Sequence, residues 1–240
     1  MPETIVYLHG FGSGPGSKKA LFFVEQARRL GVEIAVPDLT DGDFERLTIT
    51  RQLAVVERLV AGRRVSLIGS SLGGYLAGLY AARHKEVHKA VLLAPAFGFA
   101  RHWPERLGPD RIDEWRRNGW MGVYHYGQQR TLPLGFQLLE DGLRYEDFPE
   151  VHQPILLIHG TRDEVVTPDW SRQYASARPN VELELVDSDH ELINVLDWMW
   201  NRIRTFLEFE AGHDIYTASP ETHPQLLDSA EPSQTGFRPW

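Results

Sequence analysis

A serine between two glycines, Gly69-x-Ser71-x-Gly73, most constrains what this chain can fold into. The apolar run 65–68 precedes it, and a run rich in Ala, Leu and Tyr follows at 75–82. A Gly-x-Ser-x-Gly motif in this context predicts a sharp turn between a strand and a helix, with the serine at its tip. The backbone at such a turn is crowded, so small residues are needed two before and two after the serine. Ser71 is therefore predicted to be a nucleophile.

Short apolar runs alternate with helical periodicity along most of the chain. Strands are predicted at 5–8, 33–36, 65–68, 90–93, 155–158 and 181–186. Helices are predicted between Ser17 and Gly31, at 44–59, after Ser71 and at 192–209. Because this alternation requires parallel crossovers, the predicted fold class is α/β with a doubly wound, mostly parallel sheet.

The alternation breaks once, between Pro95 and Pro154, in a stretch rich in Trp, Arg and Tyr. A structureless loop of this length is uncommon in a compact domain. We therefore predict that residues 97–149 form a helical lid inserted over the serine; a packed helical extension is the alternative. Residues 1–96 and 150–210 are predicted to form the core domain. Scattered prolines and small polar residues predict an extended or disordered tail at 211–240.

Charge and composition exclude several classes of partner. The formal net charge of -8 leaves no basic stripe for phosphates, so nucleic acid is not expected. The chain has no cysteine, which excludes disulfides and thiolate chemistry. No pair of histidines has zinc-site spacing, and no Gly-Lys-Ser/Thr follows the glycine-rich loop 10–16. We therefore expect no catalytic metal, no nucleotide site and no cofactor.

The residues before the first strand and the lengths of the apolar runs predict where the protein is located in the cell. No basic region followed by an apolar stretch precedes the first strand, so no signal peptide is expected. No apolar run is long enough to span a bilayer. The expected location is the cytoplasm.

A serine hydroxyl needs a base to take its proton, and the base needs an acid to hold its tautomer. Asp163 follows the strand at 155–158, and His190 follows the strand at 181–186. Both are expected at the carboxyl edge of the sheet, in the serine, acid, histidine order of this fold. Glu140 or Asp141 is the alternative acid.

Two backbone N–H groups are predicted to bind the developing oxyanion. One is that of Leu72, at the positive end of the helix after Ser71, and the other is that of Phe11, in the loop after the first strand. The aromatic side chains of Trp103, Trp120 and Tyr124 are predicted to bind substrate in an apolar pocket. His159, which lies near Asp163 in the sequence, is expected to have a structural role.

Four segments of the chain resemble the α/β-hydrolase superfamily, and within it small bacterial esterases of the YqiA type and related acyl-thioesterase-like hydrolases. These segments are Tyr7-Leu8-His9-Gly10-Phe11, Gly69-Ser70-Ser71-Leu72-Gly73-Gly74-Tyr75, Gly160-x-x-Asp163-Glu164-Val165-Val166 and Asp189-His190. The resemblance covers about residues 3–208. It implies a triad of Ser71, Asp163 and His190, with Phe11 and Leu72 as oxyanion donors. It also implies hydrolysis of esters or thioesters of small to medium acyl groups.

Two other functions remain open on the sequence. The first is cleavage of a carbon–carbon bond, by a hydrolase or a lyase, on the same triad. The second is a hydrolase-fold protein that binds a ligand without turnover. An intact triad argues against the second, because binding alone does not need a serine, an acid and a histidine together.

Overall fold

Six parallel strands form the central sheet of the molecule, whose computed structural model describes residues 4–209. Within these residues the strands are β1 (Thr4–Leu8), β2 (Ile34–Ala35), β3 (Val65–Ser70), β4 (Val87–Leu93), β5 (Trp120–His125), β6 (Arg130–Gly135), β7 (Ile155–Gly160) and β8 (Val181–Val186). The central sheet has the order β2-β1-β3-β4-β7-β8, while β5 and β6 form an antiparallel pair of their own. The predicted α/β class with a mostly parallel sheet is confirmed.

Helices cover both faces of the sheet. In the described residues they are α1 (Lys18–Arg29), α2 (Ile49–Val60), α3 (Leu72–Arg83), α4 (Phe99–Leu107), α5 (Pro109–Asn118), α6 (Gln137–Gly142), α7 (Pro168–Ser176) and α8 (Leu196–Phe206). Side chains along β1 alternate between the faces: Ile5 and Tyr7 pack with α1 and α8, whereas Val6 and Leu8 pack with α2 and α3. This alternation is the period of two expected of a strand buried on both sides.

Capping residues set the helix boundaries. The Ser17 hydroxyl accepts from the Ala20 N–H at the start of α1, as predicted. The helix predicted at 44–59 begins later, at Ile49, because the Thr48 hydroxyl caps it. The predicted last helix begins at Leu196, after a 3₁₀ turn. The predicted tail at 211–240 lies outside the described residues.

The segment 97–149 is not purely helical, so that part of the prediction was wrong. It contains α4, α5 and α6, but β5 and β6 form an antiparallel hairpin between α5 and α6. These strands are only half buried, and Gly122 and Pro133 interrupt their apolar residues, which is why they were not predicted as strands.

The segment 97–149 packs as part of the main core. Trp103 and Trp115 are both 1% exposed and belong to the cluster that covers one face of the sheet. The indole N–H of Trp115 donates to the Leu134 carbonyl at 2.9 Å, which joins α5 to the hairpin. The Asp141 carboxylate on α6 accepts from the N–H and the hydroxyl of Thr50 at the start of α2.

The sheet order creates a crevice at its carboxyl edge. The chain leaves β1 through α1 on one face and reaches β3 through α2 on the other, so the order reverses between β1 and β3. Open α/β sheets bind ligands at such a switch point. Ser71 directly follows β3, and the loop 9–12 directly follows β1. Over residues 4–209, no helix combines the length and apolarity that a membrane span requires.

Candidate active site

Ser71 occupies a tight turn between β3 and α3. Its backbone has φ 54° and ψ -118°, a conformation that residues with a Cβ rarely adopt. A Cβ at Gly69 would overlap the Gly73 carbonyl, and one at Gly73 would overlap the Leu8 carbonyl. The Ser71 N–H donates to the Leu93 carbonyl of β4 at 2.8 Å. The two glycines are therefore required by the close approach of β1, β3 and α3.

The structure brings the three predicted side chains into one hydrogen-bonded line. The Ser71 Oγ lies 3.0 Å from Nε2 of His190, and Nδ1 of His190 lies 2.7 Å from Oδ2 of Asp163. A carboxylate can only accept, so Nδ1 carries the proton and Nε2 keeps a lone pair for the serine hydroxyl. This is the tautomer in which the imidazole can take a proton from the serine.

Four donors hold the Asp163 carboxylate. Oδ1 accepts the backbone N–H groups of Val165 and Val166, each at 2.8 Å. Oδ2 accepts from His190 and also from Nε2 of His159 at 3.0 Å. Burial by itself would raise the pKa of Asp163, but the hydrogen bonds from His159 and His190 outweigh it and hold that pKa well below the ordinary 3.8. Asp163 is therefore ionised wherever the protein is folded near neutral pH.

Burial lowers the pKa of His190 below its ordinary 6.5, against the opposing hydrogen bond and charge of Asp163. The cationic Lys19 on α1 lowers this pKa further. The Lys19 Nζ donates to the Glu191 carbonyl at 2.9 Å, so it also ties the loop of His190 to α1. At neutral pH the imidazole is free of a second proton and can act as a base.

The loop after β1 runs beside Ser71. A Cβ at Gly10 would lie 3.4 Å from the Cβ of Ser71, so the backbone of this loop passes against the serine. The His9 imidazole fixes the loop, because Nδ1 contacts the Gly10 carbonyl and Nε2 accepts the Leu39 N–H at 3.2 Å. The hairpin also holds it, since the Tyr126 N–H donates to the Gly12 carbonyl at 2.7 Å. The backbone around Phe11 is thus placed near the Ser71 side chain.

A pocket of about 530 Å³ lies between α4, the loop of Asp163 and the start of α7. Its lining comprises Ala96, Phe99, His102, Trp103, Glu105, Arg106, Asp163, Glu164, Val165, Val166, Thr167 and Trp170. Of the three aromatic residues predicted to bind substrate, Trp103 is in this lining. Trp120 is 53% exposed on β5, and Tyr124 packs against Tyr126 at 5.2 Å between ring centroids; neither is in the lining.

Comparison with known proteins identifies the chain's relatives. A model described as "Uncharacterised protein family (UPF0227)" matches residues 4–208. The chain belongs to the UPF0227 family. The human mitochondrial palmitoyl-protein thioesterase ABHD10 is 25% identical to this UPF0227 protein over 207 residues, covering 78% of this chain and 67% of ABHD10.

Two solved structures show the same fold. The mouse α/β-hydrolase domain-containing protein 10 has a TM-score of 0.72 and 21% identity, covering 87% of this chain and 90% of that chain. Est1E from Butyrivibrio proteoclasticus has a TM-score of 0.70 and 20% identity, covering 87% of this chain and 89% of that chain. The resemblance noted in the sequence is confirmed: this UPF0227 protein has the fold of the α/β hydrolases.

Several polar residues of this UPF0227 protein have structural partners instead of a place at the triad. The Asp141 carboxylate caps α2 through Thr50, and Glu140 is exposed, so neither alternative acid lies on the line of hydrogen bonds. The Arg106 guanidinium donates to the carbonyls of Glu164 and Val165, which ties α4 to the acid loop. Trp170 on α7 lies outside the predicted lid, so a search of 97–149 could not find this part of the pocket.

Glu57, His84 and Glu86 have donor atoms within 4.8 Å of one another. Glu57 lies on α2, His84 follows the end of α3, and Glu86 precedes β4, so the cluster is at the amino end of β4, opposite the edge that carries Ser71. The His84 Nδ1 lies 3.1 Å from Glu86 and 3.5 Å from Glu57, distances that an ordinary charged hydrogen bond explains.

Proposed function

We propose that this protein is a serine hydrolase that cleaves carboxylic ester or thioester bonds of small to medium acyl substrates through an acyl-enzyme. The observation that carries the proposal is the unbroken line from the Ser71 hydroxyl through His190 to Asp163, at 3.0 and 2.7 Å. A carbon–carbon bond cleavage would use the same line. The thioesterase ABHD10 among the relatives favours acyl transfer.

The first half of the reaction acylates Ser71. Its hydroxyl attacks the carbonyl carbon while His190 Nε2 takes the proton, and the imidazolium is stabilised by Asp163. The imidazolium then gives the proton to the leaving alcohol or thiol, whose bond to the acyl carbon breaks. In the second half, His190 takes a proton from water, the hydroxide attacks the acyl carbon, and the serine leaves with that proton.

Negative charge develops on the carbonyl oxygen in both halves. The N–H of Leu72 lies at the amino end of α3, where the helix dipole favours an anion. The N–H of Phe11 lies in the loop that passes against Ser71. We propose these two groups as the oxyanion hole; removal of one such donor typically costs about 2.7–4 kcal/mol of transition-state stabilisation.

The acyl group is proposed to bind in the aromatic pocket beside Asp163. The pocket reaches Ala96, whose N–H donates to the Ser71 carbonyl at 3.0 Å. The pocket therefore begins at a residue that is hydrogen-bonded to the backbone of Ser71. Phe99, Trp103 and Trp170 give it apolar walls, which suit an acyl chain better than a charged group. Segment 97–149 supplies two of these three residues, so it is proposed to act as a lid that shapes the acyl site.

The test is covalent labelling together with turnover. The folded protein should react stoichiometrically with a fluorophosphonate probe at Ser71 and hydrolyse p-nitrophenyl esters and acyl thioesters. Ser71→Ala should abolish labelling and lower kcat by several orders of magnitude, since the triad acts as a unit. Ser176→Ala, which removes an exposed hydroxyl at the end of α7, is the matched control and should change neither.

Each result separates the candidate functions. Folded protein that neither labels nor hydrolyses would favour a binding protein without turnover. Labelled protein that cleaves a carbon–carbon bond but no ester or thioester would favour the other enzyme. Retention of ester hydrolysis by Ser71→Ala would refute the proposal.

A further inference from the structure

The acid of the triad accepts from two imidazoles at the same oxygen. His190 Nδ1 lies 2.7 Å from Oδ2 of Asp163, and His159 Nε2 lies 3.0 Å from it. His159 is the second-last residue of β7, so it reaches the carboxylate from the sheet, while His190 reaches it from the loop after β8. The side chains of His159 and Asp163 are both 0% exposed. Nothing in the proposed reaction uses this second imidazole.

We propose that His159 is a positioning residue for the reaction: its Nε2–H fixes the Asp163 carboxylate and limits how strongly that carboxylate attracts the proton on His190. The inference rests on the proposed hydrolase function. His159 touches neither Ser71 nor the predicted position of the substrate, so it acts only through Asp163.

The contacts of His159 determine which nitrogen carries the proton. Nε2 faces two groups that can only accept, the Asp163 carboxylate at 3.0 Å and the Val166 carbonyl at 2.9 Å. A lone pair on Nε2 would repel both oxygens, so Nε2 carries the proton and shares it between them. Nδ1 lies 2.7 Å from the hydroxyl of Ser171, a group that can donate. A neutral ring with its proton on Nε2 satisfies all three contacts.

These contacts form one line that runs inward from Ser71 to α7. The Ser171 hydroxyl, 0% exposed, donates to His159, and His159 donates to Asp163. From the other side, Ser71 donates to His190, and His190 donates to Asp163. The carboxylate is the common acceptor of two donor chains, and its second oxygen is held by backbone N–H groups. It therefore cannot rotate without breaking bonds to buried partners.

The second imidazole also bears on the strength of the base. Each N–H that Oδ2 accepts spreads its negative charge and weakens its pull on the other N–H. Without the His159 donor, Asp163 would stabilise the His190 imidazolium more strongly, and the pKa of His190 would rise. As the pH falls, activity that requires neutral His190 would then begin to be lost at a higher pH than in the wild type.

Other charged groups surround His190 and set the background for this effect. Lys19 faces it from α1, Asp189 and Glu191 flank it on its own loop, and Asp163 faces it from the loop after β7. None of these four residues is changed in the variants below, so a difference in pH profile reports on the His159 contact.

The test compares three variants at the same pair of positions. His159→Phe keeps a ring but removes both nitrogens; His159→Gln keeps a donor that reaches as far as Nε2; Ser171→Ala removes the far end of the line. We expect His159→Phe to lower kcat by about tenfold or more, the scale of a lost hydrogen bond to a charged group. As the pH is lowered, kcat/KM of His159→Phe should begin to fall at a higher pH than kcat/KM of the wild type. His159→Gln should restore most of kcat and should bring the pH at which kcat/KM falls close to that of the wild type.

Controls separate positioning from simple packing. The exposed His152 is the matched histidine, and His152→Gln should leave both kcat and the pH at which kcat/KM falls unchanged. If His159 served only to pack, His159→Phe would lower the unfolding temperature while the pH profile of the folded fraction stayed in place, and the inference would be wrong. If His159→Phe does not fold, Ser171→Ala decides by the same profile, with a smaller shift in the same direction.

An NMR measurement tests the contact without reference to activity. Nitrogen-15 correlation spectra of the wild-type imidazoles should show the proton of His159 on Nε2. A His159 with its proton on Nδ1 alone would overturn the inference even in an active enzyme. Conversely, a wild-type protein that neither hydrolyses esters nor labels at Ser71 would refute the proposed function, while the tautomer would still report on the His159–Asp163 bond.

Discussion

The serine at the turn is held in a backbone conformation that costs free energy. Ser71 has φ 54°, where a Cβ is strained, yet the strand and helix on either side leave the chain no other path. The conformation aims Oγ at His190 at 3.0 Å. Strain at this residue is therefore part of how the site is built.

That strain predicts a difference between two inactive variants. Ser71→Ala keeps the Cβ at positive φ, whereas Ser71→Gly removes it. Relief of about 1–3 kcal/mol of strain exceeds the entropy cost of glycine, about 0.4–1 kcal/mol. We expect the glycine variant to have a free energy of unfolding about 1 kcal/mol higher than the alanine variant, measured by urea denaturation. Equal stability of the two would argue against strain at Ser71.

The pKa of His190 predicts the pH dependence of the wild-type enzyme. Because burial holds this pKa below 6.5, most of the imidazole is neutral at pH 7. We expect kcat/KM for a neutral ester to change little between pH 8 and 7 and to reach half its plateau value only below pH 6.5. A rate that already declines between pH 8 and 7 would show that the Asp163 charge outweighs burial.

The grouping of Ser71, Asp163 and His190 could be predicted from sequence because each residue lies within four residues of the carboxyl end of a strand that the sequence predicts. The carboxyl ends of parallel strands meet at one edge, so Asp163 and His190 had to lie near Ser71. The second contact of Asp163 could not be predicted in the same way. It depends on the direction in which the His159 side chain points near the end of β7, and spacing along the chain does not determine that direction.

At the scale of elements, the segment 97–149 is joined to the core by specific polar contacts. The Asp141 carboxylate on α6 accepts at 2.8 Å from the N–H of Thr50 and at 2.7 Å from its hydroxyl. The N–H groups in the first turn of a helix lack partners within the helix, so a carboxylate from another element can cap them. α6 therefore completes the amino end of α2.

This contact predicts a loss of stability without a loss of chemistry. Asp141→Ala should lower the free energy of unfolding by about 1–2 kcal/mol, because a partly buried N–H loses its acceptor. Ester hydrolysis should be retained, since Asp141 is bonded to Thr50 and not to His190. Asp113→Ala is the control, because its ion pair with Arg116 is exposed and worth at most about 1 kcal/mol. Loss of turnover with Asp141→Ala in folded protein would restore Asp141 as the alternative acid.

The hairpin is the element that sequence reasoning missed. β5 and β6 pair from Trp120 with Gly135 to His125 with Arg130, and most of their side chains are at least partly exposed. The usable signal was the β-propensity of Trp, Val, Tyr and Thr on either side of Gly127. The inner strands of the central sheet were predictable because both of their faces are buried, which gives continuous apolar runs. The edge strand β8 is half exposed, and it was predictable from its alternation of apolar residues with glutamate.

At the scale of the whole molecule, three histidines with lowered pKa values couple folding to pH. Burial lowers the pKa of His9, of His125 and of His190 below the ordinary 6.5. The unfolded chain therefore binds more protons than the folded protein as the pH falls below 6.5. Their contribution to stability is complete above that pH and is lost as the pH falls towards each folded value.

The expected result is a marked loss of stability in mild acid. Each of the three histidines can contribute a slope of up to about 1.4 kcal/mol per pH unit below pH 6.5. Carboxylates with lowered pKa, such as Asp163, act only below their own ordinary values, so the window from pH 6.5 to 5 isolates the histidines. Urea denaturation at pH 7.5, 6.5 and 5.5 measures the slope. His125→Gln should reduce it, while the exposed His152→Gln should not; a flat profile would contradict the neutral state of the three rings.

One backbone hydrogen bond sets a limit on engineering this protein. The Tyr126 N–H at the tip of the hairpin donates to the carbonyl of Gly12, and Gly12 has φ +62° with the Tyr124 carbonyl 3.2 Å from where its Cβ would be. If another protein's 97–149 region were grafted here to alter the proposed acyl site, loss of this hydrogen bond would free the loop that carries the Phe11 N–H. Such a graft should therefore keep the hairpin tip around Tyr126 unchanged, because the tip holds the proposed oxyanion donor in place.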